Sequence, residues 1–247
     1  MDITVAQWSI LISITIFASI AQSAIGFGFS LIAVPVFLIV LEVDIAVQLA
    51  MILTFSISVV MIFATWKDTP VVTFKRLALG SVIGFPLGFF FFYIATPELV
   101  KMVVGIAIII ALSLTRLNLF RSTHFKQSAC NGIGAGIVSG AMVTSIAMAG
   151  PAIAIYANAI GFGKAKTRAI VFSVFLFSYG TAIVIHAVFY GFASSVSGFL
   201  MYLLPATLVG TIIGHWLAGR ISETFFSRLL TFTLVAVAMY LIYSVSG

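Results

Sequence analysis

The feature that most constrains the fold is a series of long runs without Asp, Glu, Lys or Arg. These runs cover residues 3–41, 45–66, 77–97, 102–115, 127–163, 169–219 and 229–247. A helix needs about 20 mostly apolar residues to cross the hydrocarbon core of a bilayer. The first, fifth and sixth runs are each long enough for two segments. The pattern predicts an all-α polytopic membrane protein with about ten membrane segments.

The composition excludes several other classes of protein. Only 7% of the residues are charged and 62% are apolar, whereas soluble domains have about 25% charged residues. The net charge of +6 comes from short basic clusters between apolar runs, so it does not indicate a nucleic-acid surface. The single cysteine excludes an intrachain disulfide and a CxxC metal or redox site. We expect no cofactor and no nucleic-acid partner; the expected partners at this point are the lipid bilayer and, as an open candidate, a second copy of the chain.

The basic residues predict the orientation. With the N-terminus outside, the cytoplasmic loops contain eleven of the twelve basic residues. Lys101 and four of the six acidic residues fall outside. This positive-inside bias predicts a multi-pass protein of the plasma membrane (the inner membrane in bacteria) with both termini outside. The paired segments in 3–41 and 127–163 return the chain to the same side whether they cross or re-enter, so both arrangements stay open.

The two halves of the chain resemble each other weakly. Small residues precede a proline in both, at Pro35 and Pro151, and the pair Gly84 and Gly88 aligns with Gly210 and Gly214. Since each half holds five segments, an odd number, the second is expected to be inverted. The prediction is a first repeat over 1–115, a cytoplasmic connecting loop over 116–126 and an inverted repeat over 127–247. Chance similarity between glycine-rich membrane helices is the alternative interpretation.

Two interrupted stretches are the predicted binding region. Broken short helices are expected around Gly26 and Gly28 and between Thr144 and Gly150. A helix that restarts there exposes its first N–H groups, which carry partial positive charge and bind anions. The predicted substrate-binding residues are Gln22, Ser23, Gly26, Gly28, Ser30, Thr144, Ser145, Gly150 and Arg168. For Gly26 and Gly28, close helix packing is an equal alternative.

Other glycines and the ionisable residues have simpler interpretations as well. The spacing of Gly80, Gly84 and Gly88, and of Gly132, Gly136 and Gly140, favours helix packing.

Arg168 is either an orientation signal or an anion-binding guanidinium. His186 and His215 are candidates for proton coupling, or bond to neighbouring helices. No carboxylate lies deep in an apolar run, which disfavours a metal site and a metal-cation transporter.

The chain resembles the sulfite exporter TauE/SafE family, also called the toluene sulfonate uptake permease family. The first half carries a glycine-rich stretch from Gly26 to Pro35, and the second carries Gly150-Pro151, Tyr156, Gly163-Lys164 and Arg168-Ala169. Val143-Thr144-Ser145 stands where many members have glycines. The resemblance implies export or uptake of sulfite, organosulfonates or related sulfur oxyanions. Separately, we expect no enzymatic activity.

The leading interpretation is a secondary transporter of such an anion that works by alternating access. A passive anion channel and a non-transporting assembly or sensor protein are the alternatives. An intramembrane serine protease is disfavoured, because Gly136-Ile-Val-Ser139-Gly140 is one residue longer than the G-x-S-G motif of such a site.

Overall fold

The computed structural model describes residues 3–116 and 127–218. That part of the chain contains nine α-helices and no strands. The helices are α1 (Val5–Ile25), α2 (Phe29–Val40), α3 (Val43–Thr65), α4 (Val71–Ile94), α5 (Pro97–Arg116), α6 (Ala129–Ile146), α7 (Gly150–Ala159), α8 (Lys164–Phe189) and α9 (Val196–Leu217). Six of these described helices are long and apolar enough to cross a membrane, namely α1, α3, α4, α6, α8 and α9. The all-helical, polytopic class is confirmed, while the predicted connecting loop and the run 229–247 lie largely or wholly outside the described residues.

Residues suited to a helix N-terminus stand at the start of α1 and of α5. The side chain of Thr4 accepts the N–H of Gln7 at 3.3 Å, and the Gln7 side chain accepts the N–H of Thr4 at 2.9 Å. This capping box satisfies N–H groups at the start of α1. Helix α5 begins at Pro97, a residue favoured in the first turn because its missing N–H would have no helical partner there.

Four helices begin earlier than the charge-free runs predict. Helix α3 includes Asp44, and α5 includes Glu98 and Lys101. Helix α4 includes Lys75 and Arg76, and α8 includes Lys164, Lys166 and Arg168. Lys, Arg and Glu are good helix formers, and an acidic residue in a first helical turn is favoured by the helix dipole. A charged residue therefore limits the apolar span without ending the helix.

The central pair of helices is α3 and α8. It is flanked by two closely packed pairs, α1 with α9 and α4 with α6. A Cβ atom added at Gly84 or Gly88 would meet the backbone carbonyl of Ile137 or Ala141 on α6. A Cβ on Gly210 would come within 2.6 Å of the Ile16 carbonyl on α1. The predicted packing function of Gly84 and Gly88 is confirmed, because the backbones touch where side chains are missing, and Gly210 has the same function.

The two shortest helices lie inside this arrangement. Helix α2 has 12 residues and α7 has 10, so each is about 15–18 Å long, roughly half the hydrocarbon thickness. Every residue from Phe29 to Leu38 is buried. A helix that is apolar on all sides is suited to such an enclosed position.

Candidate functional site

The first break in the helices joins α1 to α2. Gly26 and Gly28 have φ values of 111° and 130°, where a residue with a Cβ would be strained. The N–H of Gly26 donates to the carbonyl of Gln22 at 2.7 Å. The side-chain Oε1 of Gln22 accepts the N–H of Phe29, the first residue of α2, at 3.2 Å. Gln22 therefore bonds to both sides of the break.

The second break joins α6 to α7 and is shorter than the interruption suggested by the sequence. Ala147 ends α6 in the left-handed region with φ 55°. Thr144 and Ser145 remain in the last turn of α6, and their hydroxyls donate to the carbonyls of Gly140 and Ala141 at 3.0 and 2.6 Å. Such bonds give the hydroxyls a partner inside the helix, although they destabilise it slightly. Helix α7 restarts at Gly150 with a proline in its first turn.

The two breaks meet. A Cβ atom on Gly150 would lie 3.3 Å from the Cβ of Phe27 in the first break and 3.3 Å from the Phe175 ring on α8. A cavity of about 10 Å³ lies at this junction, which is room for about one water molecule. It is lined by Gln22, Gly28, Ser30, Leu31, Gly150, Pro151 and Phe175. The structure thus brings Gln22, Gly28, Ser30 and Gly150, from both halves of the sequence, to one point.

One hydrogen-bond donor at the cavity has no partner. Gln22 is only 1% exposed, and its Nε2 makes no hydrogen bond. The first bond within α2 runs from the N–H of Ile32 to the carbonyl of Gly28 at 3.1 Å, so the N–H groups of Ser30 and Leu31 have no acceptor in their own helix. A buried donor without an acceptor is costly. The cavity therefore presents N–H groups for which an anion would be a suitable acceptor.

Tyr179 on α8, which the sequence analysis missed, connects the two breaks. Its hydroxyl donates to the carbonyl of Ala147 at 2.7 Å and accepts the N–H of Ala149 at 3.3 Å. Its oxygen is also 3.1 Å from the Ser30 hydroxyl, which is 3.2 Å from that of Thr54 on α3. The only signal in the sequence is a tyrosine in the middle of an apolar run, where a polar group is a functional candidate.

Arg168 lies beside the first break and away from the cavity lining. Its Nη2 donates to the carbonyl of Ser23 at 2.7 Å, so its cation sits at the C-terminus of α1, where the helix dipole favours positive charge. Its Cγ lies 3.1 Å from the Cβ position of Gly26. Ser23 faces α9, where its Cβ lies 2.9 Å from the Cβ position of Gly214. In this conformation Arg168, Ser23 and Gly26 support the break, and a direct contact with substrate stays a prediction.

His186, in the last turn of α8, contacts the second break. Its Nε2 lies 3.0 Å from the carbonyl of Thr144, and its Nδ1 is buried without a hydrogen bond. The Thr144 hydroxyl shares its one hydrogen between the carbonyl of Gly140 and the carbonyl of Phe85 on α4, both at 3.0 Å. Thr144 therefore points away from the cavity, and Ser145 does not line it. His215 is exposed on α9, in a groove of about 330 Å³ beside α3. Proton coupling through either histidine stays a prediction.

The comparisons with known proteins identify one family. A sequence model described as "Sulfite exporter TauE/SafE" matches residues 11–241. No curated protein and no solved structure gives a significant match. The matched range contains both breaks and every residue that lines the cavity.

Proposed function

Because this chain belongs to the sulfite exporter TauE/SafE family, we propose that it is a secondary transporter of a small sulfur-containing anion. The anion would bind where the N-termini of α2 and α7 meet. The observation that carries this proposal is the cavity between the two breaks, with the unpartnered Nε2 of Gln22 in its lining. Helix N-termini and free N–H groups at one buried point form an anion site without requiring a cation.

The size of the cavity favours a carrier over a channel. At about 10 Å³ it is smaller than any sulfur oxyanion, since it holds about one water. An anion could enter only after the surrounding helices move apart, as they do in alternating access. A channel would instead need a continuous pathway with weak binding sites.

We also propose the inverted repeat and its ten segments, with α1 to α5 corresponding to α6 and the elements that follow it. In support, α1 and α6 both end at a break, and α2 and α7 are both short. The close pairs α1–α9 and α4–α6 would exchange under the same correspondence. The bodies that rock would then be these mixed pairs and not the two halves of the sequence. The proposed orientation places both termini outside the plasma membrane, from the distribution of basic residues.

The experiment measures uptake of labelled sulfite and small sulfonates into liposomes that contain the purified protein, with and without a pH gradient. We expect saturable uptake and counterflow, as for a carrier. Gln22→Glu keeps the oxygen that accepts the Phe29 N–H but replaces the free amide with a negative charge. It should reduce uptake at least about tenfold, because a like charge in the site repels the anion.

Ser145→Ala is the matched control, because its hydroxyl bonds only within α6 and should leave uptake within about twofold of the wild type. Arg168→Ala should reduce uptake by loosening the first break. The proposal is wrong if folded wild-type protein carries no anion. The binding site is wrong if Gln22→Glu transports like Ser145→Ala.

A further inference from the structure

We infer that the site selects anions by charge and takes singly charged oxyanions, so that sulfite would be carried as hydrogen sulfite. This inference rests on the proposed function and specifies its substrate class. The starting point is that every residue lining the cavity is uncharged. Electrostatic compensation for the substrate must therefore come from helix ends and from charges just behind the lining.

The helix N-termini supply about one positive charge. Each helix N-terminus carries roughly half an elementary charge, and the N-termini of α2 and α7 meet at the cavity through Gly28 and Gly150. Both helices have at least ten residues, which is long enough for such a dipole. The unpartnered Nε2 of Gln22, buried at the same point, adds hydrogen-bond donors without adding net charge.

All four helix ends at the two breaks, taken together with the nearest charged side chain, also amount to about one positive charge. The C-termini of α1 and α6 lie at the two breaks and carry roughly half a negative charge each, which cancels the two N-termini. Among the described residues, Arg168 is the charged side chain that bonds to a break, through the carbonyl of Ser23 at 2.7 Å. Its guanidinium restores the total to about one positive charge. His186 bonds to the other break and adds charge only if it is protonated.

A site with about one positive charge discriminates against a dianion. A second negative charge would leave water without a compensating charge, and an uncompensated buried charge lowers the binding constant by about a hundredfold or more. Hydrogen sulfite and the sulfonates carry one negative charge, whereas sulfate and fully ionised sulfite carry two. A proton would then cross together with sulfite, on the substrate itself and without a proton-carrying side chain.

The test uses liposomes with the wild-type protein and three probes over the range from about pH 6 to about pH 9. Methanesulfonate keeps one charge throughout, sulfate keeps two, and sulfite changes from one to two. We expect methanesulfonate uptake to stay nearly constant and sulfate to be neither carried nor inhibitory. When the total sulfite concentration is limiting, sulfite uptake should fall by about tenfold per pH unit above the second pKa of sulfurous acid. The reason is that the singly charged fraction of sulfite falls by the same factor. Protein-free liposomes correct for leakage of sulfur dioxide.

Methanesulfonate separates titration of the protein from titration of the substrate. If its uptake falls with sulfite uptake, a protein group such as His186 causes the pH dependence and the inference is overturned. Sulfate uptake at the methanesulfonate rate, or sulfite uptake that does not change with pH, also overturns it while leaving the proposed function intact. Uptake of no anion refutes the proposed function and this inference with it.

A charge-adding variant provides a gain-of-function test. Gln22→Lys places a second positive charge at the cavity and should raise inhibition by sulfate relative to methanesulfonate at least about tenfold. An unchanged ratio in folded protein contradicts the charge account. If this variant does not fold, the three-probe experiment on the wild type still decides.

Discussion

Removing the hydroxyl of Tyr179 should weaken the contact between the two breaks and lower the free energy of unfolding, while leaving the packing of the Tyr179 ring in place. Tyr179→Phe deletes the bonds to the carbonyl of Ala147 and the N–H of Ala149 and the contact with Ser30, at 2.7, 3.3 and 3.1 Å. Ser30 keeps Thr54 as a partner, so the main cost is that two buried backbone groups lose the bond to this hydroxyl.

The magnitude follows from two independent estimates. An orphaned buried polar group costs about 1–3 kcal/mol, and the low end applies where the surrounding helices can relax. Side-chain hydrogen bonds within membrane proteins average about 0.6 kcal/mol each. Both routes give a loss of about 2 kcal/mol in the free energy of unfolding for the lost contacts.

The assay is equilibrium unfolding in mixed micelles at increasing denaturing detergent. Tyr202→Phe is the matched control, because Tyr202 is 55% exposed and lies on the surface of α9. It should change the free energy of unfolding by less than about 0.5 kcal/mol. The double variant Ser30→Ala with Tyr179→Phe should show coupling between the two sites. Equal stability of the Tyr179 and Tyr202 variants would refute the bridging function of Tyr179.

Three further predictions concern the glycine contacts and the ends of the broken helices. Gly84→Ala should destabilise the protein by at least about 2 kcal/mol, because its methyl group would overlap the backbone of α6; Gly134→Ala, with nothing within 4 Å of its Cβ position, should be neutral or stabilising by up to about 1 kcal/mol. Ala147→Gly should raise the unfolding midpoint slightly, since Ala147 has a φ of 55° that costs an alanine about 1 kcal/mol. Arg168→Gln should lower that midpoint by several degrees, because the carbonyl of Ser23 loses a charged donor at 2.7 Å. Thermal unfolding in detergent measures each change, and equal midpoints for Gly84→Ala and Gly134→Ala would contradict the packing account.

The helices and their breaks were predictable because the lipid environment leaves few alternatives. A charge-free run must be helical to satisfy its backbone groups, and the predicted segments that fall within the described residues each correspond to a helix. The start of α8 at Lys164 was missed, because counting charge-free residues identifies the apolar part of a helix but not its charged first turn. The first break at Gly26 and Gly28 was predictable, since glycine readily adopts positive φ.

The composition of the site was only partly predictable. Gln22 and Ser30 are polar residues next to a glycine break, a pattern that can be recognised from the sequence alone. Thr144 and Ser145 share that pattern, yet their hydroxyls bond within α6 or to α4, because rotation about the helix axis decides which neighbours a residue meets. The bridging contacts of Tyr179 join residues more than 100 positions apart, such as Ser30, and no local pattern in a single sequence encodes them.

The pairing of α1 with α9 also has a consequence for biosynthesis. The backbone of Ile16 on α1 meets Gly210 on α9, so its partner is translated roughly 190 residues later, which at typical elongation rates takes about 10–40 seconds. Throughout that interval, lipid chains or insertion factors must cover the small-residue face of α1. The broken helix pair α1–α2 therefore enters the membrane long before the contacts that fix α1 in place can form, and its final docking is one of the last steps of assembly.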